Sequence, residues 1–261
     1  MKQQLEAWSR EFVPRFNLLS QKHKVPYYTQ SPLDTLCGSV DEMLIGINPQ
    51  GKETGKTTIL RPEEFLHGNP CWEERFCEEL CCGQYFTGVR FFMGYDRRRH
   101  PHSFDNDQKV VWTNLTPFAS NKGFTDLPPE LRKAGIESLL RLIQIVRPQR
   151  IVLLGGNAFR MLEKYSSHEA QKEISHEQVF RNQPFEIGRI YGIPAVYVCH
   201  PSSPRWAVKG SRYFIPMFLH LHQMIDTPDQ DHALRHIEQV CALIRHEVKC
   251  WQEQIITESF E

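Results

Sequence analysis

Three polar side chains follow apolar runs of the sequence and could act together on one substrate. They are Asn48 in GINPQG, Asn114 in TNLTPF and His200 in HPSSPRW. An amide is too weak to serve as a base, but it can position water and read a hydrogen-bonding edge. An imidazole can donate a hydrogen bond to an oxygen atom that gains negative charge. The set favours chemistry that positions water and stabilises a leaving group without a metal ion.

Each of these segments follows a run with the composition of a buried strand. The apolar runs cover residues 41–47, 110–115, 150–154 and 194–199. Strands buried on both faces and separated by helices indicate a parallel sheet. We therefore predict a three-layer α/β/α fold with a central four-stranded, mainly parallel sheet. Because functional loops in such sheets follow the carboxyl ends of the strands, the three polar side chains are expected at one edge.

The remaining stretches carry the other predicted elements, and no repeat or low-complexity linker separates them. Apolar spacing predicts helices at 1–17, 72–82, 129–147, 157–164, 211–225 and 231–255. Residues 50–70 are expected to form a long loop and residues 165–183 a polar excursion. We predict a single domain over 1–261, with a motif-bearing core at about 41–220 and a C-terminal helix at about 231–255.

The three motifs, in this order after predicted strands, resemble those of the uracil-DNA glycosylase superfamily. The similarity is greatest to its single-strand-selective monofunctional and mismatch-specific branches. Those branches carry Gly-x-Asn-Pro-Gly after the first strand and His-Pro-Ser after the last. The single-strand-selective branch also has Asn-Leu-x-Pro between them. The resemblance implies an enzyme that flips a base out of DNA and hydrolyses its N-glycosidic bond.

The resemblance also implies a role for each motif residue. Asn48 would hold the attacking water, and His200 would donate a hydrogen bond to O2 of the departing base, where negative charge accumulates. Asn114 would read the base edge, since its amide offers both a donor and an acceptor. An amide flip presents the opposite pattern, so Asn114 alone does not separate uracil from cytosine derivatives.

Further base and DNA contacts follow from the same resemblance. Backbone groups near Ile47 and Gly51 would contact the base, and Phe65 is the aromatic residue expected to stack on it. The segment after His200 would enter the minor groove or fill the hole that the flipped base leaves. The residues expected to contact DNA are Ser202, Ser203, Pro204, Arg205, Trp206 and Lys209.

Two positions depart from the family pattern. Gln50 occupies the place of the usual glycine after Asn-Pro, and the last motif reads HPSSPR, with one extra serine. Both departures lie beside the implied pocket, so they bear on which base is excised.

Two other sequence segments are similar to cofactor-binding motifs, but neither has the spacing that such a motif requires. The segment GKETGKT at 51–57 has three residues between its glycines, where a phosphate-binding Walker loop has four. The spacing of Cys71, Cys77, Cys81 and Cys82 matches none of the common iron–sulfur ligand patterns, so buried thiols are the expected state. We therefore expect no metal site and no nucleotide cofactor.

Composition limits the class of protein but does not name the substrate. Lys+Arg and Asp+Glu each number 31, so DNA binding would depend on a local basic face. No signal-peptide pattern begins the sequence, and no apolar run approaches the roughly 20 residues of a membrane span. A cytoplasmic monomer that acts on single- or double-stranded DNA is the expectation.

The sequence leaves three functions open. The first is a monofunctional glycosylase that removes uracil or a modified pyrimidine and leaves an abasic site. The second is an anti-phage defence glycosylase that excises bulky hypermodified cytosines, such as glucosylated hydroxymethylcytosine; Gln50 and the long loop at 50–70 motivate it. The third, from another class, is a non-catalytic DNA-binding module on the same fold.

Overall fold

The computed structural model of the chain describes residues 1–49, 55–68, 110–121, 123–155, 158–177 and 186–198. All of them belong to the first of two compact units into which the chain divides. The expected single domain over 1–261 and the expected helices at 72–82, 211–225 and 231–255 involve residues outside these ranges and stay predictions.

The described strands form one mixed sheet. They are β1 (Glu42–Gly46), β2 (Val110–Asn114), β3 (Arg150–Leu154), β4 (Ile174–Glu177), β5 (Glu186–Ile190) and β6 (Ile193–Val198), in the order β2-β1-β3-β6-β5-β4. The first four strands in this order pair in parallel, and the last two pairings are antiparallel. The α/β class is confirmed, but the predicted count of four strands is wrong, because the sheet has six.

Neither of the two additional strands was predicted: β4 lies within the polar excursion predicted at 165–183, and β5 follows that stretch. A two-residue turn joins β5 to β6, with φ of 52° at Tyr191 and 74° at Gly192. Positive φ at both positions is the requirement of the tight hairpin turn that matches strand twist. Strands near the edge of a sheet need few apolar residues. In β4 and β5, Ile174 and Ile190 are buried apolar side chains. Their polar composition therefore concealed them from hydrophobic patterning.

Within the described residues, five helices accompany the sheet. They are α1 (Lys2–His23), α2 (Pro62–His67), α3 (Pro129–Val146), α4 (Ala158–Tyr165) and α5 (His168–Lys172), with a short 3-10 turn at Phe124–Asp126. The predicted helices at 1–17, 129–147 and 157–164 are confirmed, and α1 is longer than predicted. The long loop predicted over 50–70 is wrong at 62–67, where Pro62 begins α2. Among the described helices, none has the length and apolarity to cross a membrane.

The main core lies between the sheet and helices α1 and α3. Leu5, Trp8, Phe12 and Phe16 recur at helical spacing along α1 and are all buried. They join Met43, Ile45, Ile151 and Leu153 from the facing side of the sheet in one apolar cluster. On the opposite face, Leu44, Val152 and Val196 are also buried, as expected for parallel strands. A second layer of helices over that face stays a prediction.

A buried ion pair lies at the start of the parallel strands, at the end away from the three motifs. Glu42 is 1% exposed, and its Oε1 lies 2.8 Å from Nη2 of Arg150 on the neighbouring strand. Burial raises the pKa of Glu42 to about 7, and Arg150 offsets only part of that rise. Its other oxygen, Oε2, has no hydrogen-bond partner among the residues that the structure describes. Ionisation of Glu42 therefore destabilises the folded state.

This pair predicts a pH-dependent stability. The folded protein holds the Glu42 proton above the ordinary pKa of 4.5, up to about 7. The free energy of unfolding should therefore fall as pH rises between these values, by on the order of 3 kcal/mol. Urea unfolding of the unaltered protein and of Glu42→Gln at pH 5 and pH 8 measures the contribution of Glu42. The contributions of all other titrating groups are common to both proteins and cancel in the difference. Equal pH dependence in both proteins would contradict this prediction.

Candidate active site at the carboxyl edge of the sheet

The register of the parallel strands brings their carboxyl ends to one edge. Gly46, the last residue of β1, pairs with Asn114, the last residue of β2. On the other side Ile45 pairs with Leu153, and Leu154 pairs with Val198 at the end of β6. The strands that precede the three motifs in the chain therefore end at the same edge of the sheet, with β3 between β1 and β6.

Asn48 lies two residues beyond the end of β1 in a tethered turn. Its Nδ2 donates a hydrogen bond to the carbonyl oxygen of Pro49 at 2.9 Å. The same carbonyl accepts a hydrogen bond from the backbone N–H of Ser120 at 3.1 Å. The donated bond orients the amide, and Oδ1 is the side-chain atom that could accept a hydrogen bond from water. Asn48 is half-buried, as an edge residue accessible to a substrate would be.

Asn114 is held directly against Gly46 of the neighbouring strand. A Cβ atom at position 46 would overlap with Oδ1 of Asn114, so a larger residue there would require the Asn114 amide to shift. The backbone N–H of Leu115 donates to the carbonyl oxygen of Gly46 at 2.8 Å and continues the pairing past the strand end. The glycine of the first motif thus makes room for the amide of the second.

The other predicted base-binding residues lie in different surroundings. Ile47 is half-buried, and its side chain packs against the apolar core. Phe65 lies on α2 and is only 3% exposed. Its ring centroid is 5.6 Å from that of Trp8, 5.8 Å from that of Phe16 and 6.0 Å from that of Tyr27. Gly51 lies outside the described residues.

A narrow cavity beside the end of β2 connects this edge with the aromatic core. Its volume is about 20 Å³, which is room for a single water molecule and not for a pyrimidine. Asn114 and Phe65 both line it, together with Tyr28 and Gln30. A base that contacts the Asn114 amide would therefore lie outside this cavity.

Sequence reasoning did not single out Tyr28 or Gln30. They lie in a stretch without strand or helix periodicity, and their position depends on pairing with the distant β2. In the sequence, the two adjacent tyrosines of KVPYYTQSP are the feature that could have indicated an aromatic residue at this site.

The last motif falls outside the described residues. This holds for His200 and for the predicted DNA contacts Ser202, Ser203, Pro204, Arg205, Trp206 and Lys209. Residue 200 follows the end of β6 by two positions in the chain, as Asn48 follows the end of β1. The cysteines considered above as cluster ligands also lie outside these ranges. Within the described part of the chain, no group of three or more His, Cys, Asp or Glu residues could hold a metal ion.

No protein-family model matches this chain, and no curated protein matches it either. The geometry of the strand ends therefore carries the functional argument, together with the motifs themselves.

The contact between Gly46 and Asn114 predicts a specific coupling. Gly46→Ala should lower the free energy of unfolding by up to about 1 kcal/mol, because the added methyl group requires the end of the Asn114 side chain to shift. In an Asn114→Ala background the same substitution should cost nothing, or gain up to about 1 kcal/mol, since alanine restricts the unfolded chain more than glycine does. Urea unfolding of the two single variants and the double variant measures this cycle. An equal cost in both backgrounds would show that the contact is absent.

Proposed function

We propose that this protein is a monofunctional DNA glycosylase that hydrolyses the N-glycosidic bond of uracil or a modified pyrimidine and leaves an abasic site. The observation that carries the proposal is the register at the carboxyl edge, where Gly46 and Asn114 end neighbouring strands and Val198 ends its strand one strand further along, beyond β3. The three motifs that resemble the glycosylase family follow from these ends.

The spacing of the strands suits a substrate held between two catalytic residues. Strands β1 and β6 flank β3, so they lie roughly 10 Å apart. In the proposed arrangement, the residues that follow these two strands in the chain would face each other across the end of β3. In this proposal Asn48 holds water on one side of a flipped nucleotide and His200 contacts its base from the other.

The chemistry needs no strong base. As the glycosidic bond lengthens, positive charge builds on the sugar and negative charge builds on the base. His200 would stabilise that negative charge through a hydrogen bond to O2 of the pyrimidine. Oδ1 of Asn48 would position a water molecule for attack on C1′ of the sugar, and positioning suffices when the bond is already largely broken. Products are the free base and an abasic site.

Asn114 would select the base. Its amide carries two N–H donors and a carbonyl acceptor, which match O4 and N3–H of uracil. Contact with Gly46 limits the movement of that amide, so the edge it presents is preorganised. Gln50 and the extra serine after His200 would then tune which substituents on the ring are tolerated.

The broader parts of the proposal follow the same family pattern. A second helical layer would cover the face of Leu44 and Val152 and complete the three-layer fold. Ser202, Ser203, Pro204, Arg205, Trp206 and Lys209 would contact DNA around the flipped nucleotide. We propose that the protein acts as a monomer in the cytoplasm, on single- or double-stranded DNA, without a cofactor.

Base excision by site variants tests the proposal. Oligonucleotides with uracil, 5-hydroxymethyluracil or glucosylated hydroxymethylcytosine are incubated with protein, and abasic sites are cleaved by alkali. Asn48→Ala and His200→Ala should each lower turnover by on the order of 100-fold or more, because each removes a transition-state contact. His168→Ala is the matched control, since His168 is exposed on α5. Binding of abasic product DNA should survive in all variants.

The same experiment separates the open alternatives. Cleavage confined to the glucosylated cytosine substrate would favour a defence enzyme. DNA binding without cleavage of any substrate would favour the non-catalytic module and overturn the proposal. Equal rates in Asn48→Ala, His200→Ala and the unaltered protein would show that catalysis lies elsewhere.

A further inference from the structure

Tyr28 is an exposed aromatic residue beside the candidate active site. It is 43% exposed, although most large apolar side chains nearby are buried. It belongs to a segment, residues 26–31, that runs alongside β2 and the loop after it. The backbone N–H of Ser31 donates to the carbonyl oxygen of Trp112 at 3.0 Å. The backbone N–H of Tyr28 donates to the carbonyl oxygen of Pro117, also at 3.0 Å.

These hydrogen bonds fix the position of Tyr28 relative to the end of β2. The neighbouring Tyr27 forms an antiparallel bridge with Phe118, and its ring is buried in the aromatic core. Successive side chains of a paired, extended segment point to opposite sides. Tyr28 therefore points away from that core. The side chain of Val111 on β2 belongs to the core cluster. Asn114 lies three residues further along the same strand, so its side chain is on the opposite face of the sheet, away from the core.

Tyr28 and Asn114 both line the narrow cavity at the end of β2, together with Thr29 and Pro117. Core residues of α1 and α3, such as Trp8 and Leu139, form other walls of this cavity. The cavity cannot hold a pyrimidine, so a base that reaches the Asn114 amide would have to approach the end of β2 from outside it. Tyr28 is an exposed aromatic residue that is hydrogen-bonded beside this strand end.

Phe65, which the family resemblance implies as the stacking residue, has no exposed ring face. Aromatic rings of Trp8, Phe16 and Tyr27 surround it, and it is 3% exposed. Insertion of a base against Phe65 would require this cluster to open. A ring that stacks on a base must therefore come from another part of the site.

We infer that Tyr28 supplies the aromatic surface on which the flipped pyrimidine stacks, next to the Asn114 amide that reads its edge. This inference rests on the proposed glycosylase function and deepens it. Stacking on an aromatic ring tolerates different bases, because every base has a planar face. Tyr28 would thus contribute to binding of the flipped pyrimidine, and Asn114 would contribute to its selection.

Kinetic comparison of Tyr28 variants tests the inference. On whichever substrate of the excision panel the unaltered protein cleaves fastest, Tyr28→Ala and Tyr28→Leu should lower kcat/KM by roughly 10- to 100-fold, the range expected for loss of one base–aromatic stack. Tyr28→Phe should stay within about threefold, because it keeps the ring. Ile59→Ala is the control, since Ile59 is another exposed apolar side chain, at 62%.

Binding to a stable abasic analogue provides a second measurement. An oligonucleotide with a tetrahydrofuran site lacks a base, so Tyr28→Ala should bind it as tightly as the unaltered protein does. Equal loss of binding to this probe would mean that Tyr28 contacts the DNA backbone, and would overturn the stacking role. An unchanged excision rate in Tyr28→Ala, with normal activity in the unaltered protein, would overturn the inference and leave the proposed function standing. No cleavage by the unaltered protein on any substrate would refute both.

Discussion

The parallel pairing of β1 with both β2 and β3 determines where Asn48 and Asn114 lie. Hydrogen bonds between these strands place Gly46 beside Asn114 and set Ile45 beside Leu153. A slip of one residue would move the side chain of Asn114 to the opposite face of the sheet. It would also separate the Asn114 amide from the glycine that makes room for it. The register is stabilised in turn by Met43, Ile45, Ile151 and Leu153, which are buried against α1 and α3.

The aromatic core performs a second task at this edge. Phe16, Tyr27, Phe65 and Phe118 pack against one another and join α1, α2 and the loop after β2. With those rings buried, the segment at 26–31 is anchored beside β2, and Tyr28 is left exposed at the strand end. One tyrosine thus belongs to the core, and its neighbour is available for a ligand.

The sequence predicted well those parts whose signal is local. Runs such as IVLL at 151–154 are apolar at every position, as a strand buried on both faces must be, so all four parallel strands were predicted. Helix α1 was predicted from its apolar spacing. Strands β4 and β5 were missed because their sequences are largely polar, and the clearest local sign of β5 is the turn at Tyr191-Gly192 that joins it to β6. Tyr28 was missed for a different reason, since its neighbour Pro117 lies far away in the sequence. The roles of Asn48 and His200 came from motif resemblance and not from patterning.

The central claim is that the residues at this sheet edge release a base from DNA. Mass spectrometry of the small molecules released from a uracil-containing and a modified-pyrimidine oligonucleotide tests it most directly. The account predicts a free pyrimidine base in the protein-treated sample, in amounts equal to the abasic sites formed, and far less with Asn48→Ala. Intact oligonucleotides in every sample, with no free base above the protein-free control, would contradict it.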